Sequence, residues 1–440
     1  MEFITDYKIE DYILNTSWDD FPENVKARSL VCAIDLMTAL ILGVKGQQHA
    51  AGMKLAQQIY REGDIPVIGS GKHLSFMGAT MALAHASNSF DIDDGYNMVR
   101  GHPGSSFIGG VLAAGLEKHI SYREYLTTLV IAYETTIRWG LAMQDFYHYL
   151  HSSGTYGAFG TAAGIGRIFE LDRNTLNSAL SIADYHAPIT PVMRAVEYPS
   201  MNKDGVPFGT ITGALAVLEA LNGYRGRTHL LEMPQYQNLV NSLGGKYEIL
   251  ELYFKPYTCC RWAHQPISVS ISFMQEKHFT WRDINKVRVH TFQAAAQLSK
   301  MVPHTTDEAQ YNIAYPVASA LVNGDLGYCQ ICDDALNDPR VLEMMKRLEF
   351  VVDPEMESQF PAKRLAWVEF ELHDGRILRS EAVPAPGEAS DHVNLDWITK
   401  KFMRVTSPLI SQDRQKAILE VMTIPQEIPL DTVIDTVGLF

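Results

Sequence analysis

The segment Gly154-Thr-Tyr-Gly-Ala-Phe-Gly-Thr-Ala-Ala-Gly-Ile-Gly166 constrains the fold of this chain more than any other stretch. Its apolar residues keep helical spacing, yet its side chains are so small that helix axes beside it approach closely. A helix this rich in glycine has little stability of its own and draws it from packed neighbours. The segment therefore predicts a tight helical bundle.

The first 250 residues agree. Apolar residues recur at three and four positions, punctuated by Gly, Pro and Asn, and predict helices over Val25–Leu42, Ala50–Arg61, Ser75–Asn88, Phe107–Lys118, Tyr122–Met143, Tyr156–Phe169, Asn174–Ala183 and Phe208–Leu221. Beyond about residue 280 the period changes to two. Lys286–Phe292 and Trp367–Leu372 alternate as strands, the second turning at His373-Asp-Gly-Arg376 into a hairpin with Ile377–Val383. Helical spacing persists at Ala309–Asn323 and Pro339–Leu348, which predicts helices on a short antiparallel sheet. Pro384–Ser390 reads as a linker, and helical patterns return at Trp397–Val405 and Gln412–Met422.

A chain of 440 residues exceeds what a single core sustains. The reading is a mainly α protein: a large all-helical domain from residues 1–265 and 393–440, and a smaller α+β lid domain over 266–392. A net charge of −14 repels phosphate backbones and anionic lipid, so neither nucleic acid nor a membrane surface is an expected partner. The best apolar run, Leu30–Val44, is broken by Asp35 and falls short of the about 20 residues a membrane span needs. The amino-terminal residues are acidic, without a basic-then-apolar leader, and the five cysteines are odd in number. Reduced thiols and a cytoplasmic setting are expected.

Chemistry-bearing residues gather in five segments. Asn88–Ser106 holds Asp91, Asp93, Asp94, Arg100 and His102 in one loop. Crowded carboxylates raise at least one pKa, which suits proton transfer, while Arg100 and His102 suit an anion; the alternative is a turn cap followed by a helix start. Tyr147–Gly154 carries His148 and His151 in a stretch free of acids. Ser200–Pro207 sets Lys203 before a helix amino terminus. Phe254–Pro266 concentrates Lys255, Arg261 and His264 with no acid nearby. Asp307–Ser319 offers Tyr311 and Tyr315, of which Tyr315, immediately before Pro316, either points its hydroxyl into a pocket or packs. Clustered Asp and His also raise a metal reading, but no second cluster of like density supports it. Phosphate-binding glycine loops and a serine-hydrolase elbow are absent.

Asp91-Ile-Asp-Asp94 with Gly101-His-Pro-Gly104, the helix start His151-Ser-Ser-Gly-Thr-Tyr-Gly-Ala-Phe-Gly160, and Lys255-Pro-Tyr-Thr-Cys-Cys-Arg-Trp-Ala-His264 together resemble the MmgE/PrpD family. Ser200–Gly205, Glu308–Tyr315, Pro386-Gly387 and Lys401-Phe402 add to the likeness. The resemblance implies a helical domain built from both chain ends, an α+β lid, a homodimer, and no cofactor or metal. It implies a lyase, dehydratase or decarboxylase, acting on a small di- or tricarboxylate such as 2-methylcitrate or cis-aconitate by abstracting a proton beside a carboxylate. An epimerase of an iminodisuccinate-like acid and a non-catalytic binding protein are the alternatives. Carried over by motif, Asp91, His102, His151 and Tyr315 are the catalytic residues expected, with Arg100, Lys203, Lys255, Arg261 and His264 binding substrate. Gly95 stands where dehydratase and decarboxylase members carry Thr, and an arginine before Gly-His-Pro is closer to the epimerase branch.

Overall fold

In the computed structural model, residues 2–438 are described. Ten helices succeed one another before residue 222: α1 (Lys8–Asn15), α2 (Glu23–Gly43), α3 (Gln47–Ile59), α4 (Phe76–Ser87), α5 (Ser105–Glu117), α6 (Tyr122–Phe146), α7 (Ser153–Ile168), α8 (Arg173–His186), α9 (Met193–Glu197) and α10 (Val206–Leu221). The glycine-rich α7 lies at the centre, packed against α5, α6, α8 and α10. A methyl group added to Gly154 would stand 2.1 Å from the Gly205 carbonyl oxygen, and one on Gly209 would stand 2.0 Å from that of Gly154. Backbone meets backbone there, so the small residues are required by contact and not by turn geometry. Ser121 and Asp172 start α6 and α8 by accepting backbone amides through their side chains.

Two strands lie within this helical part, β1 (Glu62–Val67) and β2 (Lys72–Leu74), paired antiparallel. The sequence gives no alternation for them, because β1 is interrupted by Gly63 and Pro66.

The lid is built on a mixed sheet, a correction to the antiparallel one expected. Strand β3 (Ile284–Thr291) pairs parallel with β4 (Leu348–Val352) and antiparallel with β5 (Leu365–Leu372); β6 (Ile377–Arg379) and β7 (Val383–Pro384) both pair with β5. The helix predicted to reach Leu348 stops at Met345, and the chain continues as β4. A parallel pair needs a long crossover, and the helices between β3 and β4 supply it. The helix predicted over Ala309–Asn323 is broken in two, Thr306–Gln310 and Ala314–Asn323. Asn312 Oδ1 accepts the Tyr315 amide at 2.8 Å and starts the second piece.

After the lid the chain returns to the helical layer. The Leu395–Thr406 helix packs on α2, and Leu430–Val437 touches α5 and α6. Lys401 is buried at this junction, its Nζ 2.5 Å from Asp35 Oδ1 and 2.7 Å from the Ile92 carbonyl. Among the described residues no single helix is long and apolar enough to cross a membrane. The Leu30–Val44 run is core: most of it is fully buried in α2.

Candidate active site

Between α4 and α5 the chain doubles back through a loop in which Asp91 and Arg100 hold positive φ, 52° and 53°. Non-glycine residues in the left-handed region are held there by their surroundings, and here three aspartates are sent in three directions. Asp94 points into the bundle, where its Oδ2 accepts the Tyr133 hydroxyl at 2.6 Å. Burial, with Asp35 and Asp93 near, pushes its pKa up to about 7. Asp93 accepts His102 Nδ1–H at 2.9 Å and the Asn88 amide at 2.9 Å. Burial alone would raise its pKa, but the His102 and Lys255 charges hold it well below the carboxylate range. Asp91 takes the Lys255 ammonium at 2.9 Å.

His102 is the point on which these groups converge. Its Nε2 stands 3.5 Å from Asp91 Oδ1 and 3.3 Å from Asp204 Oδ2, and its backbone amide donates to Ser153 Oγ at 2.9 Å. Burial and Lys255 oppose its protonation, yet the Asp93 charge and hydrogen bond, with Asp91, raise its pKa to about 9. At neutral pH it is an imidazolium. Asp204 accepts the Tyr311 hydroxyl at 3.0 Å, and burial, partly offset by His102, raises its proton affinity.

A cleft of about 230 Å³ opens over this cluster, lined on its polar side by Asp91, Arg100, His102, Asp204, Lys255 and Tyr311. Arg261 and Arg364 also reach it. Arg100 and Arg364 make no ion pair or side-chain hydrogen bond among the described residues. Lys255 is instead committed to Asp91, and Arg261 to Glu388 at 2.7 Å and to the Pro386 carbonyl. The guanidiniums left for an anionic ligand are therefore Arg100, expected, and Arg364, not expected.

Four of the expected residues stand where their sequence context did not suggest. Lys203 does not line the cleft: its buried ammonium donates to the Asn88 and Ser89 carbonyls and to Gln310 Oε1, tying the aspartate loop to the lid. His264 is fully buried with Nε2 on the Cys259 carbonyl at 2.9 Å, and burial with Arg261 nearby keeps it neutral, so it offers no charge to an anion. Tyr315 gives its hydroxyl to the Gln330 and Ala335 carbonyls inside the lid, and Tyr311 takes the place at the cleft. Lys255 faces the cleft but is core, 1% exposed, which its sequence context did not suggest. His151 lies two residues before Ser153, fully buried, with both ring nitrogens unpartnered and its pKa lowered by burial.

Sequence reasoning passed over Asp93, Asp204, Tyr311, Tyr253 and Arg364 as site residues. Asp204 and Tyr311 lay inside quoted segments beside favoured neighbours; Arg364 carried no signal. Gly95 acquires a physical reason. It pairs backbone to backbone with Tyr253, and an added methyl group would lie 2.2 Å from the Tyr253 ring. The space for a threonine side chain is filled by a tyrosine that lines the cleft.

Asp91, His102 and Asp204 offer one ligand atom each within 4.8 Å of one another. The set fits a metal poorly, because Lys255 already neutralises Asp91 and His102 would have to give up its proton.

A model of the MmgE/PrpD N-terminal domain matches residues 7–248, and one of the MmgE/PrpD C-terminal domain matches residues 257–424. A search of curated proteins returns no match.

Proposed function

This chain belongs to the MmgE/PrpD family, and from that premise we propose that it is a lyase working without metal or organic cofactor, which removes water or carbon dioxide from a small di- or tricarboxylate. One observation carries the reading: a charged imidazole, His102, faces the cleft with two buried carboxylates, Asp91 and Asp204, on its free nitrogen. An imidazolium of this kind gives a proton to a departing hydroxyl or to carbon, and a carboxylate whose proton affinity burial has raised receives one from the carbon beside the substrate's carboxylate. Asp93 holds the ring and Tyr311 holds Asp204. Arg100 and Arg364 clamp substrate carboxylates, one from the helical part and one from the lid.

An epimerase is the second reading, and His151 is the observation that favours it. It does not line the cleft, but it follows the cleft-lining Leu150, and a neutral, buried imidazole with no hydrogen-bond partner is the type of second acid–base group that inversion at one carbon requires.

The test is NMR in deuterated water with cis-aconitate, citrate, 2-methylcitrate and iminodisuccinate. Loss of water or carbon dioxide is the expected result, and deuterium uptake with inversion moves the assignment to the epimerase. No exchange into any acid leaves only a binding protein. In the same assay Arg100→Gln and Arg364→Gln each raise KM about tenfold or more and leave kcat nearly intact, because a hydrogen bond to a charged group is worth about 1.5–3 kcal/mol.

A homodimer in the cytoplasm is part of the same proposal. Phe208 and Leu215 stand 58% and 42% exposed on one stripe of α10, with Tyr198 and Met201 exposed just before it. Sedimentation velocity is expected to give twice the chain mass, and Phe208→Asp with Leu215→Asp to halve it; a monomeric parent protein ends this part of the proposal.

A further inference from the structure

The cleft has a second half that acid–base chemistry does not use. Leu150, Val192, Met193, Val196, Trp262 and Phe360 line it beside the charged cluster. All but Val192 are partly exposed, so the cleft presents hydrocarbon at its surface. The wall is backed by fixed structure on both sides. The Val192 amide donates to the Leu150 carbonyl at 2.9 Å, which holds the two aliphatic residues together. Trp262 packs edge-on against Phe292 and Phe360, whose rings stack 4.6 Å apart. A preformed apolar wall in a ligand cleft is a recognition element, because the free energy of covering it comes from removing hydrocarbon from water. An acid made only of carboxylates, hydroxyls and a short backbone meets Arg100, Arg364 and the His102 cluster and leaves this wall wet.

We propose that the acid this protein takes carries a hydrocarbon substituent longer than methyl, seated on the Leu150–Val192–Val196–Trp262–Phe360 wall while its carboxylates lie on Arg100 and Arg364. The inference rests on the lyase reading above and specifies its substrate class. Val192, Met193 and Val196 come from α9 and the residue before it, and Trp262 and Phe360 come from two later segments of the chain that line the same cleft. The substituent therefore meets all of them at once.

The experiment is kcat/KM for citrate, 2-methylcitrate, 2-butylcitrate and 2-hexylcitrate on the full chain. Each buried methylene is expected to raise kcat/KM about fourfold, or about sixtyfold from methyl to butyl. Val196→Asp sets a charge on the wall and collapses the butyl-to-methyl ratio. Val196→Thr, nearly isosteric, lowers the ratio in a protein whose melting curve matches the parent. The ratio is the readout, so a general loss of activity in either variant does not mimic the result. A profile that is flat or falls with chain length, in an enzyme that turns over the short acids, overturns the inference and leaves the lyase standing. Failure to turn over any acid in the series removes both.

Discussion

Replacing His102 with Asn lowers kcat/KM by about 100- to 10,000-fold, the range over which a positioned general acid or base acts. Asn keeps a donor towards Asp93 and removes the proton carrier, so the loop is preserved while the chemistry is not. The pH dependence separates this from a packing defect. With its pKa raised to about 9, His102 carries its proton through neutrality, and kcat/KM of the parent falls as pH rises past that value. The Asn variant lacks that limb. Stability follows the same sign: because the folded pKa lies above the ordinary 6.5, the contribution of His102 is complete below pH 6.5 and lost as pH climbs through about 9. Parent-like kinetics in the Asn variant would falsify the assignment.

Lys255→Met is expected to cost about 3–5 kcal/mol of stability, the penalty for stripping one partner from a buried ion pair. Asp91 and Asp93 are fully buried, and Lys255 is the ammonium that offsets both. Without it Asp91 is left in the core as a carboxylate with no ammonium beside it. Urea unfolding measures the loss, and Lys255→Met combined with Asp91→Asn should recover much of it, since the unpaired charge is then gone. An unfolding midpoint unchanged from the parent would mean that the pair does not hold the loop. The sequence context, three cations beside two cysteines, suggests a surface binding residue that is removed without harm to folding; its burial reverses that expectation.

The reason for the reversal applies to most of what was not legible. Helical periodicity and its punctuation are local properties, and α2, α4, α6, α7 and α10 lie within a few residues of their predicted spans. The strand β4 and the hairpin of β1 and β2 were lost because a short strand after a helix, or one carrying Gly and Pro, has no period to read. Charge in a segment is legible too, but its partner is not. Lys255 is neutralised by Asp91, 164 residues away, and Lys203 donates to a loop more than 100 residues earlier. A cation already paired inside the protein and one kept for a ligand look alike in sequence. Thus Lys203 and Lys255, which the fold pairs, stand out in the sequence, and Arg364, which it leaves unpaired, does not. Tyr311 and Tyr315 were separated only by Asn312 breaking their helix, which turns one hydroxyl to the cleft and the other into the lid.

The Lys401 clasp has a consequence in time. Asp35 and the backbone at Ile92 meet their ammonium only when a helix 309 residues beyond Ile92 has been made and docked. At about 5–20 residues per second of synthesis, that interval is roughly 15 to 60 s. Until then, the helix that carries Asp35 lacks the ammonium that will bond to it. Burial outweighs the ammonium even in the finished fold, where it raises the Asp35 pKa to about 6, so the carboxyl is disposed to hold a proton while Lys401 is absent. The aspartate loop thus receives this brace only after the lid has been made.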